Sequence, residues 1–303
     1  MASEAAIDVL LVESNADDAR RVADLLDKAP GGPFNARVAE TLADAVGALE
    51  TASFDVVLLS LTLPDSRGIF GLRQILETAQ SSPVVVLSST TNDALALEAV
   101  QSGAQDYLEK DRTDEQSLAR AIRYAIERKS SEERLAYLAN YDQVTGVANR
   151  SLFSDRLDQA VQRAIRNRSM LAVLFIDLDE FTGINDSFGH ETGDQVLKAV
   201  AVRILAAVRK VDTVARFGGD EFTIILEGIA VPASAGLVAA KIIETVGKPF
   251  DIGQKTLTVT ASVGAAVFDP HDGDPATLLR DADRAMYRAK SEGRNTFRLH
   301  ADA

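Results

Sequence analysis

The chain has 303 residues, 46% of them hydrophobic, a formal net charge of −13 and no cysteine. The length suggests two domains, at the usual ~100–200 residues each. Lack of cysteine excludes disulfides, thiolate metal sites and a cysteine nucleophile, and the negative charge argues against DNA, whose phosphates are held by Lys and Arg. Nucleotides stay open as ligands, because carboxylates can hold their phosphates through Mg²⁺. No apolar run approaches the ~20 residues that span a bilayer. Residues 1–6 carry no basic stretch ahead of the first apolar run, so no secretory leader is expected. The expected location is the cytoplasm, with no membrane partner.

In chain order, residues 7–12 read as a buried strand, 17–28 as a helix, 34–38 as a short strand and 42–49 as a helix. Pro30-Gly31-Gly32-Pro33 punctuates the first helix. Apolar runs at 54–61 and 83–87 read as further strands, 72–79 and 94–100 as helices, and 106–108 as a last short strand. Strands apolar on both faces, alternating with helices, predict a doubly wound parallel sheet. The strand ends carry the specific signal: Glu13-Ser14 after the first, Ser60 ending the third, Ser88 ending the fourth and Lys110 after the fifth.

This pattern resembles the receiver domain of two-component response regulators, with flavodoxin-like topology, over residues 1–128. The family places an acidic pair after strand one, a phosphoacceptor Asp ending strand three, a Ser or Thr ending strand four and a Lys after strand five. Here Ser88 and Lys110 match, one carboxylate of the acidic pair is replaced by Ser14, and Ser60 stands at the phosphoacceptor position. Asp55 and Asp65 lie off that position. A serine is a poor nucleophile without a base and adds no charge for Mg²⁺. No phosphoacceptor is therefore expected, and Lys110, its partner gone, reads equally well as a solvated surface lysine. What the domain keeps is surface for an unidentified protein partner.

A long uninterrupted helical pattern covers residues 113–141, overlapping the receiver's last helix, with Leu118, Ile122 and Ile126 on one stripe. This linker is a candidate for pairing two copies of the chain.

From residue 142 the chain changes character. Asp142-Gln143-Val144-Thr145-Gly146 opens a turn-rich segment that leads into an amphipathic helix ending near residue 165. An apolar strand at 171–176 runs into Asp177-Leu178-Asp179-Glu180-Phe181-Thr182-Gly183-Ile184-Asn185-Asp186, and Gly189-His190-Glu191-Thr192-Gly193-Asp194 precedes a helix at 196–209. Two short apolar runs flank Gly218-Gly219-Asp220-Glu221, which reads as a tight hairpin because glycine supplies positive φ without steric cost. Asp177 at one strand end and Asp220 at a hairpin tip suit a divalent-cation site. A helix at 232–246, a strand pattern at 256–268, a turn at 269–273, a helix at 276–291 and a strand at 295–299 complete the chain.

The four motifs Asp142-x-x-Thr145-Gly146-x-x-Asn149-Arg150, Asp177-x-Asp179-x-Phe181 through Gly193-Asp194, Gly218-Gly219-Asp220-Glu221-Phe222, and Ala282-Asp283 through Gly293-Arg294-Asn295 occur in order. Together they resemble the GGDEF family of diguanylate cyclases over residues 142–303, an α/β domain with a mostly antiparallel central sheet. The resemblance implies condensation of two GTP to cyclic di-GMP with loss of two pyrophosphates, in a homodimer, with Mg²⁺ or Mn²⁺. It implies metal ligation by Asp177, the Leu178 carbonyl and Asp220, and a base at Asp220 with Glu221. Substrate contacts would come from Asn185, His190, Asp194, Gly218, Gly219, Lys290 and Arg294. Asn185 and Asp194 have the acceptors that guanine's N1–H and amino group need, which adenine cannot use. Arg209 and Asp212 resemble the family's Arg-x-x-Asp product-inhibition site; the bland reading of the two is an i,i+3 surface ion pair. Asp179 and Asp186 read as turn and capping residues, and His190 has a bland reading as a packed loop histidine. One departure is Thr182, where the family has a lysine near the phosphates, so reduced turnover is expected. The rival reading is a catalytically weak or inactive GTP- or cyclic di-GMP-binding effector acting through protein contacts.

Overall fold

The computed structural model describes residues 6–79, 81–89, 93–252, 255–271 and 274–300. The reading of residues 1–5 as lacking a leader, and of Asp272 and Gly273 as part of a turn, lies outside the described residues. The chain divides into two compact units, Met1–Leu135 and Ala136–Ala303. No described helix is long and apolar enough to cross a membrane.

In the first unit the order is β1 (Ile7–Val12), α1 (Ala16–Lys28), β2 (Phe34–Ala39), α2 (Leu42–Thr51), β3 (Val56–Ser60), α3 (Ile69–Thr78), β4 (Val84–Ser88), α4 (Asp93–Gln101), β5 (Asp106–Glu109), a 3₁₀ turn at Lys110–Arg112 and α5 (Glu115–Asn140), which continues into the second unit. The sheet order is β2-β1-β3-β4-β5 and all pairs are parallel. Alternate strand residues serve opposite cores, which is why the strands read as unbroken apolar runs. Leu10, Val12, Val57, Leu59 and Val86 pack with α2 and α3. Val9, Leu11, Val56, Leu58, Val85 and Leu87 pack with α1 and with Leu118 and Ile122 of α5. Each fully buried Leu, Ile or Val contributes about 1.5–3 kcal/mol. Asn15 caps α1, accepting from the amides of Asp17 at 2.9 Å and Asp18 at 3.3 Å. Asp65 is likewise occupied: its carboxylate accepts from Leu42 N at 2.9 Å and Ala43 N at 3.0 Å at the start of α2. Those backbone hydrogen bonds hold the Asp65 carboxyl below the ordinary range.

The second unit runs from the last turn of α5 through α6 (Arg150–Asn167), β6 (Met170–Leu178), α7 (Phe181–Phe188), α8 (His190–Ala207), β7 (Thr213–Gly218), β8 (Glu221–Ile229), α9 (Ala233–Val246), β9 (Phe250–Ile252), β10 (Lys255–Leu257), β11 (Ala261–Phe268), α10 (Leu278–Ser291) and β12 (Phe297–Leu299). Its sheet has the order β12-β11-β6-β8-β7, antiparallel except for the parallel pair β11/β12. One face packs Leu174 and Ile176 against α8 and α9. The other packs Val173 and Phe175 against Phe153 of α6 and Ala282 and Met286 of α10.

Residues 181–188, to which the sequence pattern assigns no element, form α7, anchored by buried Phe181. Two local expectations change. The following helix begins at His190, because Gly189, at φ +84°, turns the chain between the two helices. The strand expected at 256–268 is split: β10 pairs with β9 in a separate ribbon, and β11 alone joins the central sheet.

Candidate active site

The carboxylates converge through strand register. Antiparallel pairing sets Asp177, near the end of β6, opposite Glu221, the first residue of β8. Gly218 and Glu221 also pair across the β7–β8 turn, which is closed by Gly218 at φ +154° and Gly219 at φ +52°. Such angles favour glycine. Leu178 N donates to the Asp220 carbonyl at 3.3 Å, fixing the turn against β6.

Asp177 is buried, and Lys290 Nζ of α10 lies 2.7 Å from its Oδ2. Burial pushes the Asp177 carboxyl above the ordinary range, with repulsion from Asp220 and Asp179 adding to it and the Lys290 ammonium opposing it. Burial also raises Glu221, helped by Asp177, Asp220 and Asp283 and opposed by Lys290. Asp283 of α10 stands in the fourth sequence motif but was given no role there, since an acid on an amphipathic helix looks like a solvated face. A carboxylate cluster of this kind is short of positive charge and suits a divalent cation. Among the described residues no three His, Cys, Asp or Glu side chains surround a point where a metal could sit. Asp177 and Asp220 are near enough for their charges to repel, and Mg²⁺ commonly needs only one or two carboxylates, with substrate phosphate and water completing its shell.

Asp179 is more than a turn residue. It is buried, and its carboxylate accepts from Thr260 Oγ1 at 2.6 Å, Ser262 Oγ at 2.7 Å and Asn295 N at 3.1 Å. It thereby ties the end of β6 to β11 and to the segment after α10 that carries Arg294. Asp186 sits inside α7 and is exposed, so it caps nothing.

A close approach at Gly193 of α8 brings the Asn185 side chain of α7 against that helix, and Asp194, the next residue of α8, is exposed. A Cβ on Gly193 would stand 1.9 Å from Asn185 Oδ1, so any larger residue there displaces the Asn185 side chain. His190 is an exposed residue at the start of α8, not a packed one. Arg294 is exposed, with φ +61°, just past α10. Thr182 is exposed in the first turn of α7.

Arg209 and Asp212 form a closed i,i+3 pair. Arg209 Nη2 donates to Asp212 Oδ1 at 2.8 Å and Nε to Oδ2 at 3.1 Å, while Arg209 Nη2 also reaches the Glu227 carbonyl at 2.6 Å. The Asp212 hydrogen bonds raise the guanidinium pKa of Arg209. Glu227 in turn accepts a bidentate contact from Arg163 of α6 at 2.8 and 2.9 Å. Sequence reading missed Arg163, which is 64 residues away from its partner.

In the first unit, Lys110 is not a solvated lysine. It is buried, and its Nζ contacts Glu13 Oε2, Asp18 Oδ2 at 2.8 Å and Ser60 Oγ at 3.3 Å. Asp18, in the first turn of α1, supplies the second carboxylate that position 14 lacks.

A parallel five-stranded unit with charged residues at its strand ends, followed by a mixed-sheet unit with paired carboxylates at a glycine turn, defines a receiver joined to a nucleotide-handling domain. A family model for the diguanylate cyclase GGDEF domain matches residues 139–296 and one for the response regulator receiver domain matches residues 9–123. The chain belongs to the GGDEF diguanylate cyclase domain family and carries a receiver domain ahead of it. It is 32% identical over 300 residues to the response regulator PleD of Caulobacter vibrioides, covering 95% of this chain and 64% of that protein. It is 43% identical over 166 residues to the diguanylate cyclase TpbB of Pseudomonas aeruginosa, covering 54% of this chain and 38% of that one. The crystal structure of the GGDEF domain of DgcB from Caulobacter crescentus in complex with c-di-GMP is similar at 30% identity and TM-score 0.51, over 54% of this chain and 94% of that one. The chain spans between 25% and 64% of the length of curated relatives such as the bifunctional MucR of Pseudomonas aeruginosa and PleD.

Proposed function

We propose that this protein is a diguanylate cyclase: it condenses two GTP into cyclic di-GMP and releases two pyrophosphates. The observation that carries the reading is the cluster of Asp177, Asp220, Glu221 and Lys290 at the glycine turn, with Lys290 Nζ at 2.7 Å from Asp177. Asp177, the Leu178 carbonyl and Asp220 are the residues for Mg²⁺ or Mn²⁺, which neutralises charge developing on the α-phosphate. Asp220, with Glu221, accepts the proton of the attacking 3′-hydroxyl. Gly218 and Gly219 let phosphate approach the backbone, Lys290 and Arg294 pair with the triphosphate, and His190 contacts the nucleotide. Lys290, which pairs with Asp177 here, would be free to turn to phosphate if a cation were held by Asp177, and it would then offset part of the loss of a cation at Thr182. Asn185 and Asp194 read the guanine edge. One such site holds one GTP, so two copies must face each other, and positioning in the dimer is part of catalysis. The reading includes a cytoplasmic location, where GTP is supplied.

Purified protein with GTP and Mg²⁺ is expected to yield cyclic di-GMP on chromatographic separation. A protein that binds GTP yet forms no product, both as wild type and as Arg209→Ala, is the effector instead. Gly193→Ala tests the guanine reader: the new methyl displaces Asn185 and removes about one hydrogen bond, near 1.5 kcal/mol. KM for GTP should rise roughly tenfold with kcat little changed. Unchanged KM would remove Asn185 from the guanine site.

Regulation is read as product binding at Arg209 and Asp212 and as independence from phosphorylation. The closed Arg209–Asp212 pair has to open, or turn its outer guanidinium edge, to bind the product's phosphate or guanine. Arg209→Ala should shift inhibition by added cyclic di-GMP to at least about tenfold higher concentration, the scale of one charge-assisted contact. An unchanged inhibition curve rejects the site. Independence from phosphorylation follows from Ser60 and from the committed Lys110. Acetyl phosphate with Mg²⁺ should leave the intact mass of the receiver half unaltered; added phosphate there overturns the reading.

A further inference from the structure

A turn of two glycines is the least constrained backbone in a fold, yet Asp220 hangs from one. Something must hold the peptide planes on either side of it. On the C-terminal side Leu178 N holds the Asp220 carbonyl at 3.3 Å. On the N-terminal side the holder is Arg216 of β7. Its Nε and Nη2 both donate to the Gly219 carbonyl, at 2.9 and 2.7 Å. That carbonyl belongs to the same rigid peptide plane as the Asp220 amide.

The guanidinium is itself fixed. Nη1 reaches both carboxylate oxygens of Asp142, at 3.0 and 3.1 Å, and the Arg216 side chain is only 11% exposed. Asp142 also accepts from Thr145 N at 2.8 Å and Thr145 Oγ1 at 2.6 Å. Burial opposes ionisation of Asp142, but the Thr145 and Arg216 hydrogen bonds outweigh it and hold the carboxyl below the ordinary range. The same opening segment is tied backward to the last turn of α5. Asn149 N donates to the Asn140 carbonyl at 2.8 Å and Asn149 Nδ2 to the Ala139 carbonyl at 2.7 Å. Forward, it is tied to β7 by Ala148 N to Val214 O at 3.2 Å and Arg216 N to Ala148 O at 2.9 Å.

We infer that Arg216 is a positioning residue: with Asp142 it clamps the Gly218–Asp220 turn to the segment that follows α5, so the placement of Asp220 depends on where the last turn of α5 lies. The planar fork of arginine is required, because one guanidinium must span a carboxylate on one side and a carbonyl on the other. Lysine offers a point charge that can satisfy one partner at a time. This inference rests on the cyclase reading for its effect on rate, but not for its effect on the turn.

The test uses the full chain as wild type, Arg216→Lys and Arg216→Met, with two readouts. Steady-state kinetics should show kcat reduced roughly 10–100-fold in Arg216→Lys, the scale of a misplacement near 1 Å, with KM for GTP within about threefold of wild type. Amide hydrogen exchange at residues 218–221 should accelerate at least about tenfold in both variants, with the β6 and β8 core amides unchanged. Arg216→Lys keeps the charge beside Asp142, so if it retains wild-type kcat and exchange, the pair is only electrostatic and the clamp is overturned. Faster exchange with unaltered kcat in an active enzyme overturns the positioning role. Should the wild type itself form no cyclic di-GMP, the cyclase reading fails, and the exchange measurement still decides whether the clamp exists.

Discussion

Asp177→Asn should reduce cyclic di-GMP formation by at least about 10²–10³-fold, the equivalent of about 3–4 kcal/mol of charge stabilisation withdrawn from the transition state, while the second unit stays as stable as wild type or becomes more stable. The two halves of this expectation share one cause. Asp177 is buried beside Asp220, Asp179 and Glu221, and its raised pKa means that the apoprotein pays to ionise it. Asparagine keeps the shape and removes the repulsion. Lys290 loses its partner, but its side chain is 31% exposed and water can take over. The sign with pH follows from linkage. A carboxyl whose folded pKa is raised contributes stability that is present below its unfolded pKa and lost as pH rises through the folded one. The stability advantage of Asp177→Asn should therefore widen from the ordinary carboxylate range upward. Thermal unfolding without metal across that range, beside product formation at neutral pH, reads both. A variant that loses activity together with several degrees of stability places Asp177 in the scaffold instead.

The frame of both units was legible because its signals are local. Residues 9–12, 56–59 and 84–87 are apolar on both faces, and burial between helices on either side is the usual reason. Asp177, Asp220, Asn185 and Asp194 were legible as candidates because they stand in short motifs. What escaped notice was set by distance in the chain. Asp179 looked like a turn residue since its partners Thr260, Ser262 and Asn295 lie 81, 83 and 116 residues on. Arg216 drew no reading of its own, because its acceptor Asp142 lies 74 residues back. Helix α7 was hidden by composition: Gly183, Asn185 and Asp186 are poor helix formers, and it is the packing of Phe181 that decides. Asp18 and Asp283 were hidden by periodicity, since an acid on the polar face of an amphipathic helix carries no mark of a buried partner.

The same hidden acid decides the largest expected effect on stability. Lys110→Met should destabilise the receiver unit by about 3–5 kcal/mol, because removing one member of a buried ion pair strands the other. Glu13, with its side chain 2% exposed, would be left buried without its cation. The ammonium's three donors now meet three acceptors, Glu13, Asp18 and Ser60, and no water-facing donor is left to soften the loss. For a unit of this size the shift in thermal midpoint is on the order of 10–20 °C. The double variant Glu13→Gln/Lys110→Met should recover most of it, since a neutral amide and a thioether leave no unpaired charge. A single variant as stable as wild type would show that Glu13 finds other partners. The arithmetic of the cluster supports the proposed independence from phosphorylation. Two carboxylates and one ammonium carry a net charge of minus one, with serine adding none. A metal would first have to displace the ammonium, and Ser60 would then offer it no carboxylate in return.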